Sequence, residues 1–281
     1  MKGQTIKNKR LWKWMLAGSV IIVCVVAAFD VRLKTVHYTI DSEKVNQQIR
    51  IAFITDLHSC KYGANQKNII EAVDKEKPDL VLFGGDIFDD KRSYNNSEKA
   101  MKQLAEKYAC YYVTGNHEYW GYDVDNILKI VNRCGVNVLS AECETIEVNG
   151  EIVNICGVDD PDVVDYTENG ITIEKQLDIV EEKVNTECFT ILLSHRPELS
   201  NIYREYNFDL VLSGHAHGGQ WRIPGILNGL YAPHQGIFPK YAGGRYDFGK
   251  QSLIVSRGLA RESTLVPRIF NRPELVIVDV K

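Results

Sequence analysis

The chain has 281 residues, 44% of them apolar and 25% charged, enough to fill the core of one large domain or two small ones. Its net charge of −4 is unevenly placed: Lys2, Lys7, Lys9, Arg10 and Lys13 open the chain without an acid. That leaves 28 basic against 37 acidic residues elsewhere, a net of −9. An acidic body argues against general nucleic-acid binding, which needs Lys and Arg to neutralise phosphates.

The basic start leads into the apolar stretch Met15–Phe29, extended by Leu11, Trp12 and Trp14, with Lys13 able to turn its charge outward. About 20 apolar residues span a bilayer. Residues 1–30 are therefore expected to form a basic cytoplasmic stub and a transmembrane signal-anchor helix, which places the remainder outside the cytoplasm. The alternative is a leader cleaved near Val26-Ala27-Ala28, giving a secreted protein. The seven cysteines, of which six follow the apolar stretch, include no CxxC pair, so neither a zinc knuckle nor a thiol-redox motif is indicated. Most read as small buried apolar side chains, and beyond a membrane they either pair or meet a compartment that is not oxidising.

Residues 31–48 read as a polar linker with a candidate first strand, and residues 49–281 as one catalytic domain. There, short apolar runs predict strands at Ile51–Thr55, Leu80–Phe83, Cys110–Thr114, Phe189–Leu193 and Leu210–Leu212. Amphipathic stretches between them predict helices over Asn68–Lys75, Ser97–Lys107, Val124–Cys134 and Ile173–Lys183. This alternation predicts a layered α/β fold. Thr145–Val148 and Ile152–Gly157 are joined by Asn149-Gly150, a hairpin signal, so the sheets are expected to be mixed. Residues 218–249 are rich in Gly, Pro and aromatics and read as a long functional loop, after which Ser252–Ser256 and Glu274–Val280 are expected to close the domain as strands.

Each of the five apolar runs ends in a polar cluster. They are followed by Asp56-Leu57-His58, Gly84-Gly85-Asp86, Gly115-Asn116-His117-Glu118, Ser194-His195 and Ser213-Gly214-His215-Ala216-His217. Five of the seven histidines lie in these segments, far more than independent structural roles would place there. The C-terminal edge of an α/β sheet is where ligands bind. Imidazole and carboxylate donors without thiolate suit Zn, Fe or Mn, and the set is too large for one ion. Two cations bridged by a shared carboxylate clamp a phosphoryl group.

These segments, DLH, GDIFD, GNHE, LSH and GHAH, resemble the five motifs of the calcineurin-like metallophosphoesterase superfamily, and the continuation GHAHGGQ resembles its bacterial membrane-associated branch. The resemblance covers roughly residues 49 to 281. It implies a dinuclear enzyme hydrolysing a phosphomonoester, phosphodiester or pyrophosphate by a metal-bridged hydroxide, with Mn, Fe or Zn as the two cofactors. Asp56, His58 and His217 would hold one ion, Asn116, His195 and His215 the other, and Asp86 both. His117 would assist the leaving oxygen, and Asp89 would steer a ligand imidazole. Glu118 is expected to cap or support the following helix.

Around these, Asp90 reads as a solvated loop residue, Arg196 as facing solvent, His234 as a surface histidine and Cys60 as packing. Backbone N–H groups of Gly218, Gly219 and Gln220, and one of Arg245, Arg257, Arg261 and Arg268, are further candidates for contact with substrate anion. The substrate is expected to be a phosphorylated small molecule or a lipid-linked phosphate. The rivals are a nucleotide phosphodiesterase on the same site and a non-catalytic metal-binding interaction module.

Overall fold

Both faces of the central strands are apolar, and this fixes the layering. Along Ile49–Ile54, the side chains of Ile49, Ile51 and Phe53 enter one core while Ala52 and Ile54 enter another; Phe189–Leu193 and Leu210–Ser213 divide in the same way. A strand buried on both sides reads as an unbroken apolar run, and its period of two sorts the side chains between two cores. The result, in a computed structural model that describes residues 2–261 and 266–281, with side chains from Trp12 onward, is a pair of stacked six-stranded mixed sheets with helices outside each.

The first sheet runs in the order Lys34–Ile40, Glu274–Val280, Ile49–Ile54, Leu80–Gly84, Ala109–Val113, Asn137–Val138. The second runs Gly244–Phe248, Gln251–Val255, Leu210–Ser213, Phe189–Leu193, Glu151–Gly157, Glu142–Val148. Between them lies a core of Ile51, Phe53, Leu82, Val113, Ile155, Ile191, Leu212 and Ile254, all at or near zero exposure. Helices Lys67–Glu76, Asn95–Ala105 and Val124–Arg133 cover the outside of the first sheet. Helix Ile173–Glu181 covers the second, and both outer cores are filled by the amphipathic faces expected from the sequence.

Three neighbouring strands of the first sheet, Ile49–Ile54, Leu80–Gly84 and Ala109–Val113, are parallel. So are Phe189–Leu193 and Leu210–Ser213 in the second. The C-terminal ends of these five strands bring their following residues to one margin of the sandwich. The hairpin Glu142–Val148 to Glu151–Gly157 forms as the Asn-Gly signal predicts: Asn149 and Gly150 both take positive φ, 54° and 83°. Cys143 and Cys156 face each other across it and are disulfide-bonded. Cys60, Cys110, Cys134 and Cys188 are buried and free.

The N-terminal segment forms one helix, Lys2–Ala28, whose apolar residues from Trp12 to Ala27 are exposed while Ala28 is buried. Among the described residues no helix is long and apolar enough to cross a membrane. The expected spanning anchor, which extends into residues 1–11 whose side chains are not described, is therefore not supported, and neither is the extracytoplasmic placement that depended on it.

Ile191 sits between the sheets with about 1% exposure. Ile191→Ala is expected to lower unfolding stability by about 2–5 kcal/mol. Urea unfolding checks this, and an unchanged midpoint would contradict the inter-sheet position.

Candidate metal centre

At the shared margin the polar strand ends converge on Asp86. Its Oδ2 lies 3.1 Å from His195 Nε2 and 3.5 Å from His58 Nε2. Asp56, His58, Asp86 and His217 form one group of ligand atoms within 4.8 Å of one another, and Asp86, His195 and His215 form a second; Asp86 belongs to both. All are buried. Asn116 starts the short helix Asn116–Trp120, and its Oδ1 is buried without a hydrogen-bond partner, as is Asp86 Oδ2.

Proton assignments show what this centre lacks. His195 Nδ1–H donates to the Gly84 carbonyl at 2.7 Å, so its Nε2 carries a lone pair in the neutral ring. His215 Nε2 lies 2.9 Å from His234 Nδ1, and Arg196 Nη1 lies 2.8 Å from His234 Nδ1 and 3.2 Å from His234 Nε2. His215 Nδ1 faces His195 Nε2 at 3.3 Å. In the neutral His195 ring a lone pair and the Asp86 carboxylate oxygen face each other with no hydrogen between them, an arrangement that suits a cation. Burial opposes charge on His195, yet Asp86 and Asp56 push its pKa up to about 10, so without a cation a proton is held there instead. Burial, helped by nearby cationic groups, holds His215 and His217 well below the usual imidazole range, neutral as metal ligands must be. The donor set fits divalent metal.

The backbone is bent to achieve this. Asp56, His58, Asp86, His215 and His217 all have positive φ, between 46° and 64°, a conformation that non-glycine residues adopt at a cost and that clusters at functional sites. The turns are tied together by Asp56 N–H to the Gly85 carbonyl and His58 N–H to the Asp86 carbonyl. Glu118 ties two of them together: it accepts from the N–H groups of Asp86 at 2.9 Å and Phe88 at 3.0 Å in one turn and of Gly115 at 2.7 Å in another. Gly115 is required by close approach, since a Cβ there would lie 2.6 Å from the Asp86 nitrogen and nearer still to its carboxylate.

His117 stands beside the cluster. Its N–H donates to Asp86 Oδ1 at 2.9 Å, its ring lies edge-on to His58 at 4.4 Å, and its Nδ1 meets Asp90 Oδ1 at 2.7 Å. Asp90, read from sequence as solvated loop, is thus the partner of the imidazole expected to act in catalysis. Asp89 faces His58 Nδ1 at 3.4 Å and leaves His58 Nε2 toward Asp86. Arg196 also departs from expectation: it is buried, donates to Asp160 at 2.7 Å and Asp162 at 2.9 Å, and turns its remaining edge to His234. Asp160 follows strand Glu151–Gly157 in an acidic run whose position after an apolar stretch was the available signal. His234 is half exposed, but the long loop carries it onto His215.

Other candidates have donors engaged elsewhere, while Arg268 keeps Nη1 buried without a hydrogen-bond partner and its charge acts on His217. The N–H groups of Gly219 and Gln220 are used by the Ala216 and His217 carbonyls. Arg245 pairs with Asp247, Arg257 with Glu274, and Arg268 is buried against the carbonyls of Ala260 and Arg257. Arg261 donates to the Lys61 carbonyl. Cys60 packs in the helix-side core.

A family model described as calcineurin-like phosphoesterase matches residues 49–219. The chain belongs to this family. It is accordingly a metallophosphoesterase, a hydrolase of phosphate esters. It is 32% identical over 261 residues to an uncharacterized metallophosphoesterase of Aquifex aeolicus, covering 89% of this chain and 92% of that one. A Helicobacter pylori metallophosphoesterase is 32% identical over 187 residues, and the match spans only 47% of that longer protein. A dimetal phosphatase structure from Danio rerio superposes with a TM-score of 0.51 over 75% of this chain and 88% of that one at 13% identity, a likeness of fold alone.

Gly115→Ala should push Asp86 out of place and weaken Mn²⁺ binding about tenfold or more. Calorimetric titration reads this directly; unaltered affinity would mean that Asp86 does not hold the metal.

Proposed function

We propose that this metallophosphoesterase is dinuclear and cleaves a phosphomonoester, phosphodiester or pyrophosphate. The observation that supports this most strongly is the membership of Asp86 in both ligand groups. Asp56, His58 and His217 would hold one divalent ion, and Asn116, His195 and His215 the other, with Mn, Fe or Zn as the fitting metals. When bound, such ions supply Lewis acidity to the phosphoryl oxygens and lower the pKa of attacking water.

The chain's own contribution is orientation and proton placement. Asp90 accepts from His117 Nδ1, so the neutral ring keeps its lone pair on Nε2 and the imidazolium presents a proton there. In the proposed reaction His117 gives that proton to the leaving oxygen, and Asp90 stabilises the charged ring until it does. His195, pinned by the Gly84 carbonyl, and Asp86, pinned through Glu118 and the His117 N–H, are held against rotation. Such preorganisation is what electrostatic catalysis requires.

Aryl phosphate monoesters and diesters, assayed with and without Mn²⁺, test the proposal. Activity should depend on metal and nearly vanish in Asp86→Asn; retained turnover in that variant would defeat the scheme. His117→Ala should keep its metal content and lose on the order of 10²–10⁴ in kcat, so loss of a metal ion there would reassign His117 as a ligand. Asp90→Asn is expected to lower kcat with little change in KM, by weakening the hold on the imidazolium.

A further inference from the structure

The long loop that delivers His234 to the metal centre also displays a set of large apolar side chains that its own domain does not bury. Ile226, Ile237 and Phe238 are 84%, 68% and 67% exposed, and Trp221, Ile223 and Tyr231 are exposed as well. The segment is tied down rather than dangling. Leu230 N–H donates to the Gly219 carbonyl, Phe238 N–H to the Leu230 carbonyl, and Tyr231 pairs with Ile237. Trp221 is bridged to Ile269, and its indole donates to the Pro267 carbonyl. The apolar side chains are therefore held outward by a built scaffold.

The surface continues into the N-terminal helix. Phe270 N–H donates to the Ala28 carbonyl at 2.8 Å, which docks the end of that helix beside Ile269 and Trp221. On the helix, Val20, Ile21, Ile22 and Val23 are each more than half exposed. Four successive residues at 3.6 per turn point all the way round. A groove on another protein covers one side of a helix, whereas hydrocarbon surrounds it, and a helix apolar on every face belongs in such surroundings. The five basic residues before Met15 stand in a chain that is otherwise acidic by nine charges, and an anionic headgroup layer is the surface they fit.

We propose that loop 220–238 rests in the surface of an anionic phospholipid bilayer beside the N-terminal helix, so that the metal centre opens at the membrane plane. Gly219 lies two residues beyond His217, and His234 touches His215, so the loop forms the rim of the centre on that side. The lipid contact is read from this surface alone. Its consequence for chemistry rests on the phosphoesterase reading: the favoured substrate is a phosphate ester or pyrophosphate whose apolar part stays in the bilayer.

The test uses the full chain and sedimentation with phosphatidylcholine vesicles, with and without phosphatidylglycerol. The parent should bind the anionic vesicles. Combining Trp221→Ser, Ile226→Ser, Ile237→Ser and Phe238→Ser should weaken that binding by about tenfold or more while turnover of a soluble aryl phosphate is kept. A second measurement does not depend on that variant folding. With Trp12→Phe, Trp14→Phe and Trp120→Phe, Trp221 is the remaining indole of the four, and brominated lipid should quench it. Undiminished vesicle binding by the four-serine variant, or an unquenched Trp221, would overturn the proposal. So would a parent dimer that dissociates on the serine substitutions without vesicle binding, which would give the surface to a second copy. Vesicle binding without aryl phosphate hydrolysis would instead defeat the catalytic reading and leave this one standing.

Discussion

The rest of the structure depends on a shortage of positive charge at one point. Around Asp86 Oδ2 the chain gathers ring nitrogens of His195 and His58, and the His195 ring is fixed by the hydrogen bond of its opposite nitrogen to the Gly84 carbonyl. Acceptors do not gather in a buried space unless something donates to them, because an unmatched buried polar atom costs more than it returns. The same margin carries Asn116 Oδ1 and His58 Nε2 without hydrogen-bond partners. Bound cations would answer these deficits, and the margin unites strand ends that are up to 159 residues apart in sequence, as in His215 N–H to Asp56.

The fold answers by spending stability locally and recovering it in the layers. Five ligand residues sit in left-handed backbone, each at a cost on the order of 1–3 kcal/mol. Two sheets packed on a fully buried apolar core, with a second core outside each, hold the strand ends rigid enough to enforce it. Glu118 converts that rigidity into position by fixing two turns with one carboxylate. Burial, then the nearby Asp86, raises its pKa, and the three N–H groups are what oppose that tendency and favour its charged form.

Much of this was legible before any coordinates, for a physical reason. A strand buried on both faces must be a continuous apolar run, so the polar residues that end it stand out, and each of the five runs led to a ligand candidate that the structure brings to the centre. Asp159 and Asp160, at the end of Glu151–Gly157, obey the same rule but stand without a histidine beside them, unlike four of the five ends that the sequence marks. Asp90 and Arg196 were misjudged because their burial depends on packing that local pattern does not encode. Arg196 is buried only because Asp160 arrives from 36 residues away, and His234 is near the centre only because a Gly- and Pro-rich loop folds back.

The measurement that bears most directly on the shared carboxylate is Mn²⁺ titration followed by electron paramagnetic resonance. Two ions bridged by Asp86 should give saturation at two equivalents per chain and an exchange-coupled signal. Two equivalents bound with only the spectrum of isolated ions, or no uptake at all, would contradict the account.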